Sequence, residues 1–104
     1  MEIVEVLKNR RSIIKVTDNE RRLILDCLEM YKSKVGKEES HEIDKLKYDI
    51  IDQNEIINIS KAEANAIREI LHKIGAFSDE INALINVFQR LINSIDDTQS
   101  IGSQ

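Results

Sequence analysis

Two stretches decide the reading of this chain: Ile13-Ile14-Lys15-Val16-Thr17 and Ile56-Ile57-Asn58-Ile59-Ser60. Ile13 falls on Ile56 at a shift of 43 residues. Both are β-branched runs, which suit a pleated, packed strand. Both lead straight into a capping box. In Thr17-Asp18-Asn19-Glu20 the hydroxyl can accept from the amide three residues on, and Glu20 can reach back to the Thr17 amide; Ser60-Lys61-Ala62-Glu63 repeats the device. At the same shift Ile24 falls on Ile67, Cys27 on Ile70, Leu28 on Leu71 and Tyr31 on Ile74. Gly36 then corresponds to Gly75, because the second unit is shorter there. Beyond the glycines, Ser40-His41-Glu42-Ile43 matches Ser78-Asp79-Glu80-Ile81, and Leu46 matches Leu84. Two capped helices can look alike by chance, but chance would not readily repeat the preceding strand and the second cap. The sequence therefore predicts a duplicated βαα unit.

The elements extend outward from these anchors. A first helix is expected from about Asp18 to Val35, with Ile24, Cys27, Leu28, Tyr31 and Val35 on one stripe. Gly36 is expected to stop it in the left-handed conformation. Ser40 is expected to open a second helix, with Ile43, Leu46 and Ile50 inward. A third is expected from Lys61 to about Ile74, with Ile67, Ile70, Leu71 and Ile74 inward and Gly75 as its stop. Ser78 opens a fourth, whose stripe is Ile81, Leu84, Ile85, Phe88, Leu91, Ile92 and Ile95. No proline interrupts any of them. Near the N-terminus, Ile3, Val4, Val6 and Leu7 form either a short helix or a strand joined to Ser12–Val16 through Lys8-Asn9-Arg10-Arg11. β-branching favours the strand.

The strands are too short to stand alone. The expected fold is α+β and helix-dominated: a tandem βαα repeat, its strands side by side and its helices on one face, as a two-layer pseudo-twofold domain. One domain is expected over 1–95, with repeats at about 12–51 and 55–95, and 96–104 as a fraying tail. The alternative is an all-α four-helix bundle with extended linkers.

The chain has 104 residues, 41% of them hydrophobic and 33% charged, with 15 basic and 19 acidic residues and a net charge of -4. One cysteine excludes an internal disulfide framework and a cysteine-based zinc site. No apolar run approaches the roughly 20 residues of a membrane span, and no signal-peptide pattern opens the chain. A cytoplasmic, reducing setting is the expectation. The acidic balance argues against a general nucleic-acid coat.

Chemistry-bearing residues are sparse. Cys27 lies in an apolar stripe opposite Ile70 in the repeat, and reads as a small core residue rather than a nucleophile. His41 and Asp44 are three apart, but no second histidine shares their face, so the stretch reads as a solvated acidic helix start. His72 reads as a boundary residue. Three glycines, at 36, 75 and 102, cannot make a phosphate loop. No catalytic residue, metal or cofactor is expected, and the chain is read as no enzyme.

Two surface features remain. Lys8, Arg10, Arg11 and Lys15 make the first sixteen residues basic, either to meet an anion or acidic partner or to guard an edge strand. Asn82, Asn86, Gln89 and Asn93 recur at spacings of four, three and four, and Arg90 is the one charge between Ile81 and Ile95. Interfaces deplete charge at their centre, and amides both donate and accept, so this stripe is read as a contact surface. The competing explanation is compositional, since the chain carries 8 Asn and 18 Ile. The function expected is that of a small, non-enzymatic interaction protein. It would regulate or inhibit a larger protein stoichiometrically, in the style of phage and mobile-element accessory proteins, and self-associate, most simply as a dimer. The alternatives are a helix-turn-helix-like nucleic-acid-binding regulator built on the last two helices, and a small-ligand sequestering protein.

Overall fold

The computed structural model describes the chain except residues 8, 53–54, 76–77 and 103–104, with the backbone alone at 51–52 and 98–102. Among the described residues the order is β1 (Glu2–Val6), β2 (Arg11–Lys15), α1 (Asp18–Lys32), α2 (Lys37–Asp52), β3 (Ile56–Ser60), α3 (Lys61–Gly75) and α4 (Asp79–Gly102). It is an α+β domain, and the expected N-terminal strand is present.

The three strands form one antiparallel sheet in the order β1-β2-β3. Ile14 lies opposite Ile57, Ser12 opposite Ile59 and Ile3 opposite Ile14, so their side chains share the helix-facing side. The ladder continues past the strand ends, where Val16 N–H donates to the Glu55 carbonyl at 2.8 Å and Lys61 N–H to the Arg10 carbonyl at 2.9 Å. The second bond gives the start of α3 a partner for one of its orphan amides. β1 carries an irregularity between Ile3 and Glu5. There the Ser12 hydroxyl, the one polar side chain buried among the described residues, is satisfied by donating to the Glu5 carbonyl at 2.8 Å.

Both capping boxes form. Glu20 N–H donates to Thr17 Oγ1 at 3.2 Å and Thr17 N–H to Glu20 Oε1 at 2.9 Å. Glu63 N–H donates to Ser60 Oγ at 3.1 Å and Ser60 N–H to Glu63 Oε1 at 2.9 Å. Ser78 opens the fourth helix, its carbonyl accepting from Asn82 N–H at 2.9 Å.

The core sits between sheet and helices. Ile14, Val16, Ile57 and Ile59 meet Ile24, Cys27 and Leu28 of α1, Ile67, Ile70 and Leu71 of α3, and Leu84, Phe88, Leu91, Ile92 and Ile95 of α4. Ile43 and Ile50 bring α2 into the same cluster. α1 packs on α2 and α3, and α3 on α4, while α4 also reaches β1. Every stripe expected from the spacing faces inward, with Tyr31, Val35, Leu46, Ile74, Ile81 and Ile85 half-buried at its margins.

Helix boundaries and both glycines depart from expectation. α1 ends at Lys32, before Val35, because the Ser33 hydroxyl takes the Met30 carbonyl at 2.7 Å and Lys34 N–H bonds Tyr31 O. α2 starts at Lys37, and the Ser40 amide donates to the Gly36 carbonyl at 2.9 Å, so Ser40 lies inside the helix rather than at its cap. Neither Gly36 nor Gly75 has a positive φ. Gly36 faces open space. Gly75 is buried, and a Cβ there would sit 2.7 Å from Ile81 Cγ2 and 3.2 Å from Ile81 Cβ. Close approach of α4, not left-handed backbone, explains that glycine. The α4 backbone stays helical to Gly102, past the expected end at Ile95.

Candidate functional site

Two antiparallel helix pairs dominate the surface, α1–α2 and α3–α4. Along the first, Lys47 pairs with Glu29, and Lys32 Nζ lies 2.8 Å from Asp44 Oδ1. The hydrogen bonds and charges of these lysines hold the Glu29 and Asp44 carboxyls below their ordinary range, while Asp44 lifts Lys32 above the ordinary lysine value. Asp44 is therefore engaged by a lysine beside the exposed His41. Among the described residues no three His, Cys, Asp or Glu side chains converge as a metal site.

The α3–α4 pair is built differently. Lys61 pairs with Asp96, Arg68 meets Gln89, and Gly75 lies against Ile81, so the contacts run the length of α3. This is a side-by-side αα-hairpin, not the crossing at roughly 90–120° of a helix-turn-helix. Arg68 Nη1 donates to Gln89 Oε1, and Nη2 to Asn65 Oδ1 at 2.8 Å. Gln89 Nε2 donates onward to Asn93 Oδ1 at 3.1 Å. A relay Asn65–Arg68–Gln89–Asn93 thus crosses the seam. Among the described residues no carboxylate lies within ion-pair distance of Arg68, His72 or Lys73. A groove of about 530 Å³ runs along it, lined by Arg68, Glu69, His72, Lys73, Ile85 and Gln89. At its end Lys73 Nζ donates to Tyr31 Oη at 3.3 Å and lies 5.4 Å from the ring centroid. That hydrogen bond, with the charges of Glu69 and Glu39, raises the Lys73 pKa.

The structure places the amide stripe on the side of α4 away from the core. Asn82, Asn86 and Asn93 are exposed, together with Ala83 and Arg90, and Gln89 is half-buried in the seam. Gln89 and Asn93 belong to the relay; Asn82 and Asn86 do not. Arg68 and Asn65 were not singled out by sequence reasoning. The signal lies in the hairpin register: from Lys61–Asp96 to Arg68–Gln89 each antiparallel helix advances by seven residues, so one contact implies the other.

The N-terminal basic group is divided. Lys8 lies outside the described residues. Arg10 and Lys15 are exposed, with Lys15 opposite Glu2. Arg11 reaches across β3: its Nε donates to Asn58 Oδ1 at 2.7 Å, its Nη2 to the Asn58 carbonyl at 3.2 Å, and it lies 3.5 Å from Glu63 Oε1. With Glu63 also holding the Ser60 amide, two polar groups of this edge strand are covered. Burial raises the Glu63 carboxyl. Hydrogen bonds from Asp49 and Ser60 and the Arg11 charge outweigh it and hold the group low.

Cys27 is buried, and burial, then the charge of Asp26, pushes its thiol up, away from nucleophilic character. A second groove of about 550 Å³ lies between α1 and α4, lined by residues that include Glu20, Leu23, Asp26, Ala83 and Val87. No described helix is long and apolar enough to cross a membrane. Compared with known proteins, the chain matches no protein family, no curated protein and no solved structure.

Proposed function

We propose that this chain is a duplicated βαα module that works as a non-enzymatic interaction protein. It binds a larger protein stoichiometrically through the exposed face of α4 and self-associates, most simply as a dimer. The carrying observation is the contrast of α4 with its surroundings. Its outward side presents Asn82, Ala83, Asn86 and Asn93 with Arg90 as the one charge over that length, while α1 and α2 are densely charged.

Several relations support the duplication. A shift of 43 residues carries the bounds of α1, Asp18–Lys32, onto those of α3, Lys61–Gly75, and Thr17 with its capping box onto Ser60 with its own. Ile14 lies opposite Ile57, its own counterpart, and the pairs Ile13–Asn58 and Lys15–Ile56 exchange under the same shift, as a local twofold through that pair requires. The Glu29–Lys47 contact falls on His72 and Ile85, which line one groove. The early start of α2 and the added β1 break the symmetry.

The side-by-side packing of α3 and α4 favours this reading over a helix-turn-helix one, as does the presence of one arginine and no lysine on α4. Sedimentation equilibrium tests self-association. The native chain should dimerise, and Ala83→Glu combined with Asn86→Glu should return it to monomer. A native chain that is monomeric at high micromolar concentration, or a variant that keeps the dimer, overturns this part of the reading.

A further inference from the structure

We infer that the α3–α4 groove is a receptor for a carboxylate side chain, and that its occupant is an acidic segment of a protein partner, clamped on Arg68.

The argument starts from what the guanidinium has and lacks. A guanidinium carries five N–H donors in a fixed fork and binds a carboxylate best through two parallel bonds. The bonds found for Arg68 are to the neutral amide oxygens of Asn65 and Gln89, and among the described residues no carboxylate is in ion-pair range. Those two amides fix its orientation, so little rotamer freedom is left to lose on binding. Gln89 in turn donates to Asn93, so the amide dipoles point from the cation out along α4. His72 and Lys73 line the same groove, against one acid, Glu69. The other helix pair shows the alternative the chain also uses: there Glu29 and Asp44 close the seam on Lys47 and Lys32. On α4 the groove is lined by Ile85 and Gln89 instead, and among the described residues no carboxylate closes on Arg68.

The choice of partner follows from the surroundings. A phosphate backbone needs many cations, and beyond this groove α4 offers Arg90 on a chain of net charge -4. A protein side chain needs one anchoring arginine, a partly apolar floor such as Ile85, and an uncharged flank of the kind Asn82, Asn86 and Asn93 provide. The inference rests on the proposed contact face for the nature of the partner. Sedimentation reports that face and the titration below reports the groove, so each can fail alone.

The test is a titration of the full isotope-labelled chain at low salt, followed by NMR. The probe is the blocked peptide acetyl-Gly-Glu-Asp-Glu-Gly-amide, with acetyl-Gly-Gln-Asn-Gln-Gly-amide as control and inorganic phosphate as competitor. The acidic peptide should shift the Arg68 Nε–H and the Gln89 and Asn93 amide groups, and the control should not. Arg68→Gln should weaken binding by about tenfold or more. Gln89→Glu supplies the carboxylate from within the chain; it should raise the melting temperature and abolish peptide binding. Shifts that are absent, that the control reproduces, or that survive both substitutions overturn the proposal. So does tighter binding of phosphate than of the peptide, which would make the groove a phosphate site.

Discussion

The two helix hairpins solve the same packing problem with different chemistry. α1 and α2 bury Ile24, Leu28, Ile43 and Ile50 and close their outer seam with Lys47–Glu29 and Lys32–Asp44. α3 and α4 bury Ile67, Leu71, Leu84 and Phe88, yet between the Lys61–Asp96 pair and Gly75 their seam holds an arginine on neutral amides. Exposed ion pairs contribute little to stability, so the difference is not explained by folding. A closed seam has its charges satisfied from within. An open one keeps donors for something else. The core side of α4 is apolar, as on the other helices, while its outer side, the proposed contact surface, departs from them.

The comparison can be broken first at the core. Leu28 and Leu71 are both wholly buried and correspond under the proposed duplication. Each replaced by Ala should cost about 3 kcal/mol in chemical denaturation, and the two losses should agree to within about 1 kcal/mol, the scatter that cavity relaxation allows. A large effect at one site beside a negligible one at the other would refute the equivalence of the halves.

The glycines separate the hairpins next. Gly75→Ala forces a methyl onto Ile81 and should cost about 1–3 kcal/mol. Gly36→Ala meets open space and should stay within about 0.5 kcal/mol of the native chain. Thermal melts of both variants decide it. The capping boxes should behave alike, with Thr17→Ala and Ser60→Ala each losing about 1 kcal/mol. A smaller effect, of opposite sign, is expected in the hairpin turn. Arg10 has φ 62°, in the left-handed region that glycine occupies without strain, and Arg10→Gly should gain about 0.5–1 kcal/mol.

The weakest effect is electrostatic and distinguishes the seams. Glu29 and Asp44 titrate below their ordinary range in the folded chain. Their contribution is complete above the unfolded values, about 3.9 for Asp and 4.3 for Glu, and is lost as pH falls through the lower folded values. On acidification, hydrogen exchange should therefore show α2 amides losing protection at a higher pH than those of α4. Loss in the reverse order would contradict the assignment of the ion pairs.

Much of this was legible in the sequence, because the signals are local. A hydroxyl followed three residues later by a glutamate marked the starts of α1 and α3, and isoleucine spacing marked the buried stripes. The paired strands followed from their shared composition. What escaped depends on contacts between elements. Gly75 signals a close approach that only Ile81 reveals. The end of α1 turns on the Ser33 hydroxyl, and the α4 backbone continues past its last apolar position. Arg68 looks like an ordinary surface cation until α4 brings Gln89 across to it. The amide stripe was visible as a pattern, but that Gln89 and Asn93 serve a relay while Asn82 and Asn86 face outward required the hairpin register.

The most direct test of the account is photo-crosslinking in the native host. The photoreactive residue p-benzoylphenylalanine is placed at Asn86 on α4 and, in a separate chain, at Tyr48, an exposed position of α2. The account predicts a discrete crosslinked product, to a second copy or to a partner protein, from position 86 and none from position 48. No product at 86, or equal products at both, would contradict the claim that the outer side of α4 is a contact surface.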